Sequence, residues 1–213
     1  MDIILNDHEA RVLGCLMEKS MSTPDYYPLS LNALTNACNQ KSNRDPVVRW
    51  DQQTVENSAG TLVEKGLVHC STIGRVPKYE ETFTRQSNIV AAEAAVLCVL
   101  LLRGPQTPGA IRSRCNRMAT TEDVATIQAT LDRLGEWGYV RRLERLPGHK
   151  ESRYMHRFCP VIHEDDATDR PTAVSPVTDD NERLRRLETD LQRMRDKVDD
   201  LSAAFESFRQ QFD

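Results

Sequence analysis

No stretch of this chain is apolar for long enough to suggest a membrane span. The best run, Val96 to Leu102, stops at Arg103-Gly104, far short of the about 18 residues that crossing a bilayer needs. The opening MDIILNDHEA is acidic early and lacks a basic leader, so no secretory signal is read and the cytoplasm is the expected compartment. The six cysteines (15, 38, 70, 98, 115 and 159) form no CxxC pair and keep no regular spacing. Reduced, partly buried thiols are therefore expected rather than a disulfide framework. His156, Cys159 and His163 come nearest to a metal cluster, but structural zinc takes four ligands and no convincing fourth is found; no metal is expected. There is no Gly-rich phosphate loop, no nucleophile elbow and no HExxH, so neither an enzyme nor a cofactor is expected. His8 and Glu9 stand at a helix start, where structural roles dominate.

What is present describes a globular binding protein. The 213 residues are 39% apolar and 28% charged, enough for one large or two small domains. The net charge of −4 is unevenly spread. Residues 1–86 carry 9 basic and 11 acidic side chains, residues 87–162 carry 11 and 7, and residues 163–213 carry 8 and 14. Affinity for nucleic acid is expected in the middle segment.

The chain repeats itself. EARVLGCLMEKSMSTP at 9–24 aligns without a gap to EAAVLCVLLLRGPQTP at 93–108, an offset of 84. Leu34, Cys38 and Asn39 then fall on Ile111, Cys115 and Asn116 at offset 77. Val55, Leu62, Gly66 and Val68 meet Ile127, Leu134, Gly138 and Val140 at offset 72, and Tyr79 and Phe83 meet Tyr154 and Phe158 at offset 75. Length changes confined to connectors, with apolar positions kept, are the mark of a duplicated domain.

Each copy carries the same element signals. Val12, Leu13, Leu16 and Met17 recur at helical spacing. A second helix is expected from near Ser30, and from Thr107-Pro108, where threonine caps and proline fits the first position. A third is expected over 51–65, burying Val55, Ala59, Leu62 and Val63, and over 121–137, burying Val124, Ile127, Leu131 and Leu134. Gly66 and Gly138 are placed for left-handed C-caps. Hairpins follow, turning at Gly74-Arg75 and Pro147-Gly148. ACNQKSNRDPV at 37–47 is thus the end of a helix and a connector, with Cys38, which matches Cys115 at an inward position, expected to be structural and a reactive thiol the alternative.

Three helices and a hairpin, twice, is the tandem winged helix-turn-helix plan, a mainly α fold with small β-hairpins. TPDYYPLSLNALTNACNQKSNRDPV, RGPQTPGAIRSRCNRM and ESRYMHRF resemble the signature segments of the YceH family of bacterial proteins, over roughly residues 5–158. The resemblance implies a tandem winged-helix fold and a bacterial cytoplasmic protein. The expected divisions are a first winged domain at 1–86, a second at 87–160, a disordered linker at 161–180 and a coiled-coil helix at 181–213.

In such folds the third helix enters the major groove while the wing touches the backbone. The outward positions here are poorly suited to that entry. One copy offers Gln52, Gln53, Glu56, Asn57 and Glu64; the other offers Glu122, Asp123, Gln128, Asp132 and Glu136, with Arg133 the one clear cation. Carboxylates repel phosphate. The cations lie elsewhere: Arg112, Arg114 and Arg117 on the second helix of copy two, and Arg141, Arg142, Arg145, His149, Lys150, Arg153 and Arg157 on its wing. Copy one adds Lys41, Arg44 and Arg49 in the connector and Arg75 and Lys78 at its wing. These are the candidate phosphate contacts, set against the plain alternative of a solvated surface paired with Glu144 and Glu151.

The tail changes character. CPVIHEDDATDRPTAVSPVTDD reads as a linker. Leu184, Leu187, Leu191, Met194, Val198, Leu201, Phe205, Phe208 and Phe212 then alternate at spacings of 3 and 4, a coiled-coil seam. A parallel pair would set Arg183 opposite Glu188 and Asp190 opposite Arg195, so the chain itself is the first expected partner, with a different helical partner or packing onto the winged domains as the alternatives. A dimeric DNA-associated protein, suited to transcriptional regulation, is one expectation. A scaffold that presents tandem winged helices to protein partners is the other.

Overall fold

The computed structural model describes residues 3–119, 123–145, 148 and 151–160. Thr121, Glu122, Pro147, His149, Lys150, His163, the linker and the whole coiled-coil seam lie outside the described residues.

The first helix, α1 (Asp7–Ser22), starts where Asn6 and Glu9 satisfy each other's backbone. The Glu9 N–H donates to Asn6 Oδ1 at 2.9 Å and the Asn6 N–H to Glu9 Oε2 at 2.8 Å, so two of the helix's orphan donors find acceptors. Next come the short strand β1 (Leu29–Ser30), α2 (Leu31–Cys38) capped by Ser30, and α3 (Gln52–Glu64) capped by Asp51. Strands β2 (Val68–Ser71) and β3 (Lys78–Glu81) follow, then the single turn α4 (Phe83–Gln86). The three strands form an antiparallel sheet in the order β1-β3-β2, with Tyr79 facing both Leu29 and Cys70.

The order then recurs. Helix α5 (Ala91–Arg103) ends at Gly104, α6 (Pro108–Cys115) is capped by Thr107, and α7 (Val124–Glu136) is capped by Asp123. Strands β4 (Val140–Arg142) and β5 (Tyr154–His156) pair antiparallel, with Val140 opposite His156 and Arg142 opposite Tyr154. Gln106 bridges to Tyr154, standing where Leu29 stands against Tyr79 in the first copy. Gly66 and Gly138, at φ 72° and 78°, make the left-handed exits that the sequence marks. Among the described residues the chain is thus a mixed α/β protein of seven α-helices and two small antiparallel sheets.

Three readings need correction. Thr23-Pro24 is not the counterpart of Thr107-Pro108: Thr23 closes α1, whereas Thr107 opens α6. The matching cap is Ser30, at the same offset of 77 that relates Leu34 to Ile111. Val63 is 37% exposed, because it sits on the flank of the buried stripe, about 100° round the helix from Leu62 and about 80° from Val55. Val124 is 40% exposed, because Asp123 takes the cap and makes Val124 the first helical residue rather than one a turn inside.

The paired apolar residues are buried alike. Leu34 and Ile111, Cys38 and Cys115, Val55 and Ile127, and Leu62 and Leu134 are all fully enclosed, within one compact unit and one continuous core. Two contacts join residues that the repeat itself equates. The Cys98 thiol lies 3.4 Å from the carbonyl of its counterpart, Gly14. Phe83 and Phe158 meet edge to face with ring centroids 5.5 Å apart. Contacts between equivalent positions are what a two-fold arrangement produces, so the copies face each other across α1 and α5. Gly14 permits that approach: a Cβ there would lie 2.9 Å from Leu102 Cδ2 and 3.1 Å from Leu101 Cβ.

Candidate nucleic-acid interface

The hairpin β4–β5 is held from beneath. Val140, Tyr154 and His156 are buried, and opposite residues of an antiparallel pair share a face. Arg142, facing Tyr154, therefore lies on that face, where it lines a cleft of about 390 Å³ with Gln128 and Asp132 of α7. Arg141 falls on the other face, its Nη2 3.8 Å from Met155 Sδ. The wing cations thus divide between two faces, as strand alternation requires.

The candidate cations differ in what they can reach. Arg112, Arg117, Arg142 and Arg145 are exposed, as are Lys41, Arg49, Arg75 and Lys78 in the first copy. Arg114, Arg141 and Arg153 are half-buried. The charge of Arg112 reaches the cap of α7: the Asp123 carboxylate is held below its ordinary range by the Thr126 N–H and hydroxyl, with Arg112 adding to the effect.

Arg44 is a correction. Its side chain is wholly enclosed, with Nη2 2.6 Å from Glu18 Oε2 and Nη1 3.1 Å from Glu18 Oε1. Nε donates to the Ala37 carbonyl at 3.0 Å and Nη1 to the Asn43 carbonyl at 2.9 Å. Burial alone would lower the Arg44 pKa, but the bond to Glu18 raises it above the ordinary value. A guanidinium so occupied ties the connector to α1 and offers nothing to phosphate. Sequence gave no sign of this, because Glu18 lies 26 residues away.

The outward face of α7 is as acidic as its sequence. Asp132 and Glu136 are exposed, and Gln128 Nε2 donates to Asp132 Oδ1 at 2.8 Å and to the Tyr154 hydroxyl at 2.7 Å. Arg133, its one clear cation, is 3.1 Å from the buried Glu93 carboxylate. In the first copy Lys65 holds Glu9 in the same manner at 2.6 Å.

Arg114 and Arg117 gather away from the wing strands. With Lys19 and Arg103, two cations that sequence reading missed, they line a cavity of about 830 Å³ between the ends of α1, α5 and α6. The signal was there in principle: Lys19 and Arg103 each lie in the last turn of a helix, where cations settle against the dipole.

The sequence profile described as "Protein of unknown function, DUF480" matches residues 5–149. The chain belongs to the DUF480 family. It is 45% identical to a UPF0502 protein of Solibacter usitatus over the whole of both chains. It is 52% identical to one of Koribacter versatilis over 76% of this chain and 77% of that one, and 44% identical to one of Pelobacter propionicus over the whole of both. Membership agrees with the resemblance carried by the three sequence segments. The DUF480 match takes in all seven helices and β4, with Arg141, Arg142 and Arg145, and stops before β5. Among the described residues no helix is long and apolar enough to cross a membrane.

Proposed function

We propose that this DUF480 protein is a dimeric, cytoplasmic DNA-associated protein without enzymatic activity. In this reading it is built from two tandem winged helix-turn-helix modules and a C-terminal coiled-coil helix, and it suits a transcriptional regulator. The twice-repeated order of three helices and a hairpin supports the modular reading. The observation that carries the function is the set of exposed cations on the second copy, Arg112, Arg117, Arg142 and Arg145, within a segment of net +4. With carboxylates on the outward face of α7, contact to the phosphate backbone is favoured over base readout, because phosphate contacts position a protein on the duplex without reading its sequence.

Titration of the full chain with random and genomic duplex DNA across salt tests this. Four arginine–phosphate contacts give a slope of log K against log salt of about −3 to −4. Absence of binding even at low ionic strength would sink the reading. A scaffold presented to protein partners is the second reading, favoured by the acidic α7 and by the commitment of Arg133 to Glu93. Pull-down from bacterial lysate with and without nuclease separates the two: partners lost on nuclease treatment support DNA, and partners retained support the scaffold.

A further inference from the structure

The cavity between the ends of α1, α5 and α6 carries more positive charge than the fold needs. Its wall holds Lys19, Arg103, Arg114 and Arg117 against a single carboxylate, Glu18. That carboxylate is already engaged by the buried Arg44, and Lys19 lies 3.7 Å from it. The plain explanation is that these cations offset the C-terminal ends of three helices. A helix end presents about −0.5 of a charge, so the three account for less than half of the four cations. Counting Asp45, whose field also reaches Arg103, still leaves more than one positive charge unbalanced.

Two details show that the excess is concentrated. Arg114 Nη1 is buried without a hydrogen-bond acceptor among the described residues, an uncommon state for a charged donor. Burial holds the Arg103 guanidinium below its ordinary value, and the neighbouring charges of Arg114 and Arg44 push it the same way. Glu18 and Asp45 oppose that push, but Glu18 is already engaged by Arg44, and a cleft where like charges outnumber the available carboxylates favours an anion.

The geometry points to a binding site for a small phosphorylated ligand, its phosphoryl oxygens on Arg103, Arg114 and Arg117. Guanidinium groups match such oxygens two at a time. The volume of about 830 Å³ exceeds what a bare phosphate fills and lies in the range of small-molecule sites. Val99, Leu102 and Met118 give the wall an apolar part, suited to the body of a molecule about the size of a nucleotide. The site lies between helices of both copies, so an occupant would bear on how the copies sit together. The proposal shares Arg117 with the DNA reading but uses neither Arg142 nor Arg145 of the wing.

Isothermal titration of the full chain with adenosine diphosphate and with inorganic pyrophosphate, at physiological ionic strength, tests it. Saturable binding of one ligand per chain is expected, weakened at least tenfold by Arg103→Gln and by Arg117→Gln. Arg117 is exposed, so its variant keeps the test valid if Arg103→Gln disturbs folding. The wing pair Arg142→Gln/Arg145→Gln should bind either probe as the parent does while losing affinity for duplex, which separates this site from the DNA reading. Three results would overturn it: no saturable binding of either probe, unchanged affinity in both cavity variants, or displacement of the probe by duplex one for one. The last would give the cavity to nucleic-acid phosphate.

Discussion

Replacing Arg44 with methionine should cost this protein a large share of its stability. The guanidinium is fully enclosed and makes two bonds to Glu18, at 2.6 and 3.1 Å, and others to the Ala37 and Asn43 carbonyls. In the variant the Glu18 carboxylate, itself 11% exposed, keeps only Lys19 at 3.7 Å among the described residues. Breaking one side of a buried pair costs about 3–5 kcal/mol, chiefly because the other charge stays buried without compensation. Total stabilities run to about 5–15 kcal/mol, so urea unfolding should show a midpoint far below that of the parent at an unchanged slope. The double variant Glu18→Met/Arg44→Met removes both charges and should recover most of the loss. A loss under about 1 kcal/mol for the single variant, or a double variant no more stable than the single, would refute the argument.

Gly14→Ala sets two effects against each other: about 1 kcal/mol gained in helix propensity and about 1–3 kcal/mol lost to overpacking against Leu101 and Leu102. A net loss of up to about 2 kcal/mol is expected by denaturant melt, and Gly14→Val should lose more. Burial holds the His156 imidazole down to about 4, against an ordinary 6.5, with Asp7 opposing weakly. The unfolded chain takes up that proton first as pH falls, so stability is full above about 6.5 and declines towards pH 4 by roughly 3 kcal/mol; His156→Phe should flatten that decline in melts taken across pH. Sedimentation of the full chain should give a dimer and a version ending near Asp180 a monomer; monomers in both cases would refute the dimer.

Much of the fold was legible because capping is local chemistry. Ser30, Asp51 and Thr107 each stand where a helix begins, within three residues of the amide they satisfy; Asp123 does the same, but the sequence pattern alone starts that helix two residues before this cap. The repeat was legible because buried positions tolerate little change of volume, so Leu34 and Ile111 still correspond although the connectors have drifted. The fate of Arg44 was not, since ion pairing over long separation leaves no periodic trace. Nor was the grouping of Lys19 and Arg103 with Arg114 and Arg117, which depends on three helix ends meeting at one place. The division of the wing cations between two faces follows from strand alternation and was legible; the placing of Arg114 and Arg117 in a separate cavity and of Arg44 in an internal pair was not.

The 3.4 Å approach of the Cys98 sulfur to Gly14 has a bearing on ancestry and assembly. A seam made of two identical first halves would set glycine against glycine and leave a hollow; one made of two second halves would force sulfur onto sulfur. Each half has become the other's lock. Produced as separate polypeptides, residues 1–86 and 87–160 should seek one another in solution and ignore their own kind.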